Sequence, residues 1–298
     1  MSSTEAKPIR PLYFLASFPL SGSNWARRVV FLLWQMHQKN PPSEINIADA
    51  DIAMPWDAKA SYYQMVTGQP ADTLSEQQIA AARPKVHHLL ATEFPGLPIV
   101  RTQAVRGDFY DNPTINPEVT RGATYIVRNP LDVAASFVRE LGMAPMKVVE
   151  MLMTRNWRIS PGAATVIEPQ GSWSQNVRSW TQRKDAAVLV LRFEDISTDP
   201  VRAFEKIAAH MRLEIDPEAV RPLRNVMLSQ RAIEGPKDDG RDYTAFLQPH
   251  EARAIIEVHA VEMDRHGYLD KKALEYAGIE RDVALALSSR HTGDAMLS

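Results

Sequence analysis

Four short apolar runs stand out along the chain: Tyr13–Phe18, Leu97–Thr102, Ala123–Val127 and Ala187–Phe193. Each is rich in strand formers, bounded by turn residues and long enough for one buried strand. Between them the apolar positions recur every three or four residues. Trp25, Val29, Leu32/Leu33 and Met36 lie on one face of a helix that Lys39-Asn40-Pro41-Pro42 stops. Ser75-Glu76-Gln77-Gln78 reads as a capping box opening a second helix, which Pro84 kinks or restarts. Asn129 caps a third, with Pro130 in its first position, Asp132 in its first turn and Val133, Phe137 and Leu141 as its buried stripe. Trp173 to Trp180 is expected to be helical. Asp199-Pro200 opens a helix with Val201, Phe204, Ala208 and Met211 inward, and Asp216-Pro217 opens the next. The last clear helix runs from Pro249 to Gly267. Residues 43–74 hold aromatics without a sustained period, 106–122 read as loop, 142–172 as irregular and Met-rich, and 232–247 as a polar surface loop.

Continuously apolar strands alternating with helices imply an α/β fold: a single domain whose central parallel sheet carries helices on both faces. The expected organisation is a flexible N-terminus over 1–11, the domain over 12–270 and a C-terminal extension over 271–298. At 298 residues, 45% hydrophobic and 23% charged, the chain has ordinary globular composition. A net charge of −2 offers no general attraction to nucleic acid or to anionic membranes. The absence of cysteine excludes disulfides, thiolate metal sites and a cysteine nucleophile. The N-terminus reads without a signal peptide, no apolar run approaches bilayer length, and no metal-ligand cluster such as HExxH occurs. The expectation is a cytoplasmic protein that uses no metal. No nucleic-acid or membrane partner is expected, and a homodimer is allowed.

The first strand feeds through Pro19-Leu20-Ser21-Gly22-Ser23-Asn24 into the first helix, whose free N–H groups then face the turn. That arrangement favours an anion. It is P-loop-like without the P-loop string, since no lysine follows Gly22. In a parallel sheet covered on both faces, ligands bind beyond the carboxyl ends of the strands. Three features fall there: the Ser21–Asn24 loop, Arg101-Thr102-Gln103, and Arg128 with Ser136 about two helical turns further on. Arg128 offers a planar fork to a phosphate and Ser136 a further hydroxyl. Taken singly, Arg128 and Ser136 read more readily as a surface ion-pair partner and a small packing residue, and Trp25 also reads as a core residue.

The loop SFPLSGSNW followed by YIVRNPLDVAASF resembles the cytosolic-type sulfotransferases, which use 3′-phosphoadenosine 5′-phosphosulfate (PAPS) and release its product PAP. The family's two cofactor motifs read roughly YPKSGTTW and YIVRNPxDVxxSxxxF. The similarity continues through GSWSQNVRSW and VLVLRFEDISTDPVRAFEKIA, and the closing HGYL is similar to bacterial members. The resemblance implies that the Leu20-Ser21-Gly22-Ser23-Asn24 loop holds the 5′-phosphate largely through backbone N–H groups. It further implies that Trp25 packs on adenine, and that Arg128 and Ser136 bind the 3′-phosphate. It also implies a hydroxyl or amine of a small-molecule acceptor as the second substrate.

Three departures from the pattern bear on activity. Leu20 replaces the family's loop lysine, and Gln103 replaces its catalytic histidine. In GPKDDGRDYTAFL only Lys237, Gly240, Arg241 and Tyr243 remain of a late loop that closes on the cofactor. Phe193 also stands where the family has a tyrosine. Losing a positioned charge-stabilising donor costs on the order of 10²–10³ in rate, and losing a general base roughly 10²–10⁴ more. Asp108, five residues beyond Gln103, is the best-placed replacement base, while Arg101 supplies positive charge; His87 and His88 are weaker candidates. The alternative is a sulfotransferase-fold protein that binds a nucleotide or metabolite with little or altered catalysis. Met143–Met153 reads as a flexible lid or as core filler. A nucleoside-phosphate kinase is disfavoured, because no loop lysine or acidic metal-ligand pairing is evident.

Overall fold

The computed structural model describes residues 8–37, 49–95, 98–182, 188–213 and 242–291. The described residues form eight strands: β1 (Leu12–Ser17), β2 (Ile99–Thr102), β3 (Asp108–Phe109), β4 (Asn112–Pro113), β5 (Thr120–Val127), β6 (Arg158–Ile159), β7 (Glu168–Pro169) and β8 (Val188–Arg192). The helices are α1 (Ser23–His37), α2 (Ala50–Ala53), α3 (Ala60–Thr67), α4 (Glu76–Thr92), α5 (Pro130–Leu141), α6 (Pro145–Met153), α7 (Trp173–Thr181), α8 (Phe193–Thr198), α9 (Pro200–Met211), α10 (Pro249–Arg265), α11 (Lys271–Ala277) and α12 (Arg281–His291).

The four apolar runs form one parallel sheet in the order β2-β1-β5-β8. Strand periodicity divides the core into two layers. Leu12, Phe14 and Ala16 of β1 face the layer built with α4, α5, α6, α7 and α10, whereas Tyr13 and Leu15 face α1 and α9. Both faces are therefore covered, as continuous apolar strands require. The chain leaves β1 towards β2 on one side and later returns to place β5 on the other. The crevice where strand order reverses thus lies at the carboxyl end of β1.

Several local expectations need correction. The stretch 142–172 is irregular only in part: α6 buries Val148, Val149, Met151 and Leu152, so Met151 is core while Met146 remains exposed. Pro84 does not divide its helix; α4 runs through it, because Ile79, Ala82, Val86 and Leu90 hold both halves on one core. Residues 43–74 contain α2 and α3, and 106–122 contain the β3–β4 hairpin. The helix ending at Arg265 is not the last. Two more follow, tied back by the Ser288 hydroxyl, which accepts from the Val261 N–H, and by the Arg253 guanidinium, which donates to the Gly278 carbonyl. Residues 1–7, the stop at Lys39-Asn40-Pro41-Pro42, the Asp216-Pro217 helix and most of 232–247 lie outside the described residues.

Candidate functional site

The loop after β1 closes tightly. The Ser21 N–H donates to the Phe18 carbonyl at 3.3 Å, and the Ala26 N–H donates to the Gly22 carbonyl at 3.1 Å as α1 begins. Two loop residues take left-handed backbone conformations, Leu20 at φ +56° and Gly22 at φ +92°. Gly22 has a second reason to be glycine: an added Cβ would stand 2.3 Å from Phe193 Cδ2. The Phe193 ring therefore lies directly against the loop. Arg128 covers that ring with its guanidinium, 4.6 Å from the centroid, and donates from Nη1 to the Leu20 carbonyl at 2.7 Å. Loop, β5 end and β8 end are thus locked together around one arginine.

Arg128 is framed by further contacts. The Glu194 Oε1 accepts the Asn129 N–H at 3.0 Å, and its Oε2 accepts the Tyr268 hydroxyl at 2.7 Å. Asn129 Oδ1 accepts the Leu131 N–H at 3.0 Å and caps α5, as its sequence suggests. Burial lowers the affinity of Arg128 for its proton, against the opposing pull of Asp132 and Glu194. Burial also pushes Asp132 up to about 6, with Arg128 opposing the rise. Ser21 is fully buried and Ser136 is 1% exposed, yet both hydroxyls lack a hydrogen-bond partner, as does that of Ser17 at the end of β1. Buried hydroxyls are normally paired; left unpaired in the loop (Ser21) and on α5 (Ser136), they fit an oxyanion ligand.

The second strand brings Arg101 and Gln103 to the same edge; Asp108, His87 and His88 lie on other elements. Arg101 stacks over Trp56 at 4.3 Å and donates from Nη1 to Asn24 Oδ1 at 3.3 Å, linking β2 to the loop. Gln103 follows two residues on and is half-buried; its amide does not titrate at useful pH. Asp108 lies exposed in β3, on the hairpin with β4, and Tyr110 of that hairpin donates to Glu76 of α4. His87 is fully buried. Its Nε2 sits 3.3 Å from Asp57 Oδ2, its Nδ1 accepts the Asn116 N–H, and burial lowers its pKa. It is a structural histidine, while His88 is exposed. Leu20 packs partly buried against the core and brings no charge to the loop. The backbone of Trp25 lies in the first turn of α1; its side chain, like Lys237, Gly240 and Arg241, lies outside the described residues.

Sequence reading missed two contributions. Phe193 reads only as a lost hydroxyl, whereas its ring shapes the loop. The buried polar group Asp57, Arg83 and Glu168 beneath the end of β2 carries no motif at all.

Residues 123–231 match the sulfotransferase-domain family, a stretch that begins in β5 and includes Arg128, Ser136 and Phe193. Among curated proteins, no sequence relative matches. Two solved structures share the fold over nearly the whole chain. A mouse sulfotransferase, SULT7A1, complexed with PAP, is 18% identical with a TM-score of 0.52, covering 93% of this chain and 95% of its own. A retinol dehydratase in complex with androsterone and the inactive cofactor PAP is 15% identical with a TM-score of 0.52, covering 89% of this chain and 82% of its own.

Proposed function

We infer the function from the premise that this chain belongs to the sulfotransferase family: it transfers a sulfuryl group from PAPS to a hydroxyl or amine of a small-molecule acceptor. The observation that carries the reading is the junction at Arg128, with its bond to the Leu20 carbonyl and its stacking on Phe193, together with the unpaired hydroxyls of Ser21 in the loop and Ser136 on α5. PAPS supplies an activated sulfuryl group; the acceptor oxygen or nitrogen forms a bond to sulfur, the bond from sulfur to the 5′-phosphate breaks, and the acceptor's proton is lost. Arg128 and Ser136 hold the 3′-phosphate. The N–H groups of the Leu20–Asn24 loop hold the 5′-phosphate, and Trp25 packs on the adenine. Arg101 stands beside the loop at Asn24 to offset charge that develops there. Gln103 orients the acceptor as a hydrogen-bond partner, and Asp108 takes its proton. The PAP bound in the mouse sulfotransferase and in the retinol dehydratase supports the choice of nucleotide.

A second reading, binding with little catalysis, is favoured by Leu20 and Gln103, which bring neither cation nor base. Two measurements separate them. Calorimetry with PAP is expected to show binding that Arg128→Ala weakens by about 10–100-fold, the value of a charge-assisted hydrogen bond. Sulfur-labelled PAPS, incubated with phenols, alcohols and amines, is expected to yield a labelled product whose formation falls in Asp108→Asn. Binding without any labelled product selects the second reading, and no PAP binding rejects the first and leaves the fold serving another ligand.

A further inference from the structure

The end of β2 is held from beneath by a residue that no motif marks. Glu168 in β7 is 1% exposed, and its Oε1 accepts the Gln103 N–H at 2.8 Å and the Thr102 hydroxyl at 3.5 Å. Its Oε2 has no partner. It belongs to a fully enclosed polar group in which Arg83 Nη1 donates to Asp57 Oδ2 at 2.9 Å and His87 Nε2 lies 3.3 Å from the same oxygen. Asp57 Oδ1 and the Tyr63 hydroxyl are also without partners. Gln103 is gripped from other sides as well. Asn176 Nδ2 donates to its carbonyl at 3.0 Å, and Gln170 Nε2 lies 3.5 Å from its side-chain Oε1. What remains for Gln103 to present at its half-buried end is its side-chain NH₂.

This arrangement rests on the sulfotransferase reading for its meaning, because only there does the end of β2 face an acceptor. On that reading we propose that Glu168 is a positioning residue: through the backbone N–H it fixes how Gln103 presents its amide, and its gain or loss of a proton is transmitted to Gln103. Carboxylates accept hydrogen bonds about twice as strongly as neutral groups, so ionisation tightens the hold and protonation loosens it. The charges facing Glu168 decide when this happens. Burial and the Asp57 carboxylate push it up to about 7, against Arg83 on α4, the Gln103 N–H and Arg101 on β2. Tyr63 on α3 stays neutral, raised by burial, and His87 on α4 is held neutral by burial. The carboxyl is therefore the group of this cluster that changes charge near neutrality.

The test is a pH titration of the Gln103 backbone and side-chain amide signals by nitrogen–proton correlation spectra, in the whole protein and in Glu168→Gln. The Gln variant keeps an oxygen to accept the N–H and puts an uncharged NH₂ where the carboxylate has its unpartnered Oε2, so it is expected to stay folded. Both Gln103 amides are expected to move together with one midpoint near 7 in the wild type, and to stay put in E168Q while its PAP affinity is unchanged. Gln103 signals that do not titrate, or that titrate identically in E168Q, would overturn the positioning role while leaving the functional reading standing. Absence of PAP binding by the wild type would overturn the functional reading instead.

Discussion

At the residue scale the site depends on contacts between positions far apart in sequence. Gly22 has two requirements, a positive φ and a Phe193 ring where a Cβ would go. Gly22→Ala must strain the backbone and displace that ring, costing roughly 1–3 kcal/mol, and with it the seat of Arg128. A lowered melting temperature together with loss of PAP binding in calorimetry is the expected result; an unaffected variant would show that the ring does not shape the loop. The sequence displayed the loop, Arg128 and Ser136, since these lie within two contiguous strings. It could not display Phe193 against Gly22, or Glu168 beneath Gln103, because each pairing spans a crossover and leaves no spacing to read. The same limit let His87 stand as a candidate base until its burial beside Asp57 was seen.

At the element scale the strands were legible because burial on both faces leaves only apolar residues to write them. Helices announced themselves where a cap was present: Ser75, Asn129 and Asp199 all accept a backbone N–H in the first turn of the helix that follows. α6 went unread because Ala144 at its N-cap makes no side-chain bond, leaving only Pro145 as a start signal. Pro84 misled in the other direction. Its missing donor weakens a helix in isolation, but Arg83 of α4 is anchored to Asp57 and Asn116 Nδ2 bonds the Pro84 carbonyl. Ser75→Ala removes half of the capping box that opens α4. It is expected to cost about 1 kcal/mol, read as a fall in melting temperature with PAP affinity unchanged. A change in affinity would mean that α4 is coupled to the site more closely than its contacts indicate.

At the scale of the whole molecule, strand order was not written in the sequence; it emerges from pairing, which sets β1 between β2 and β5 and so creates the crevice. Stability should report the buried carboxyls. Glu168 rises from 4.5 to about 7 and Asp132 from 3.8 to about 6, both chiefly through burial. Each is easier to protonate in the fold than in the unfolded chain. Their contribution is therefore fully present below the unfolded values and is lost as pH rises through about 6 and about 7. Melting temperature is expected to fall from about pH 4.5 to about pH 7, less steeply in E168Q; an equal slope in both proteins would contradict the assignment. The most direct test of the central claim compares PAP with adenosine 5′-monophosphate, which lacks the 3′-phosphate, in calorimetry on wild type and Arg128→Ala. The wild type is expected to prefer PAP by about 10–100-fold, and R128A to bind the two nucleotides alike. Equal affinity of the wild type for both, or a preference for PAP that survives in R128A, would contradict that claim.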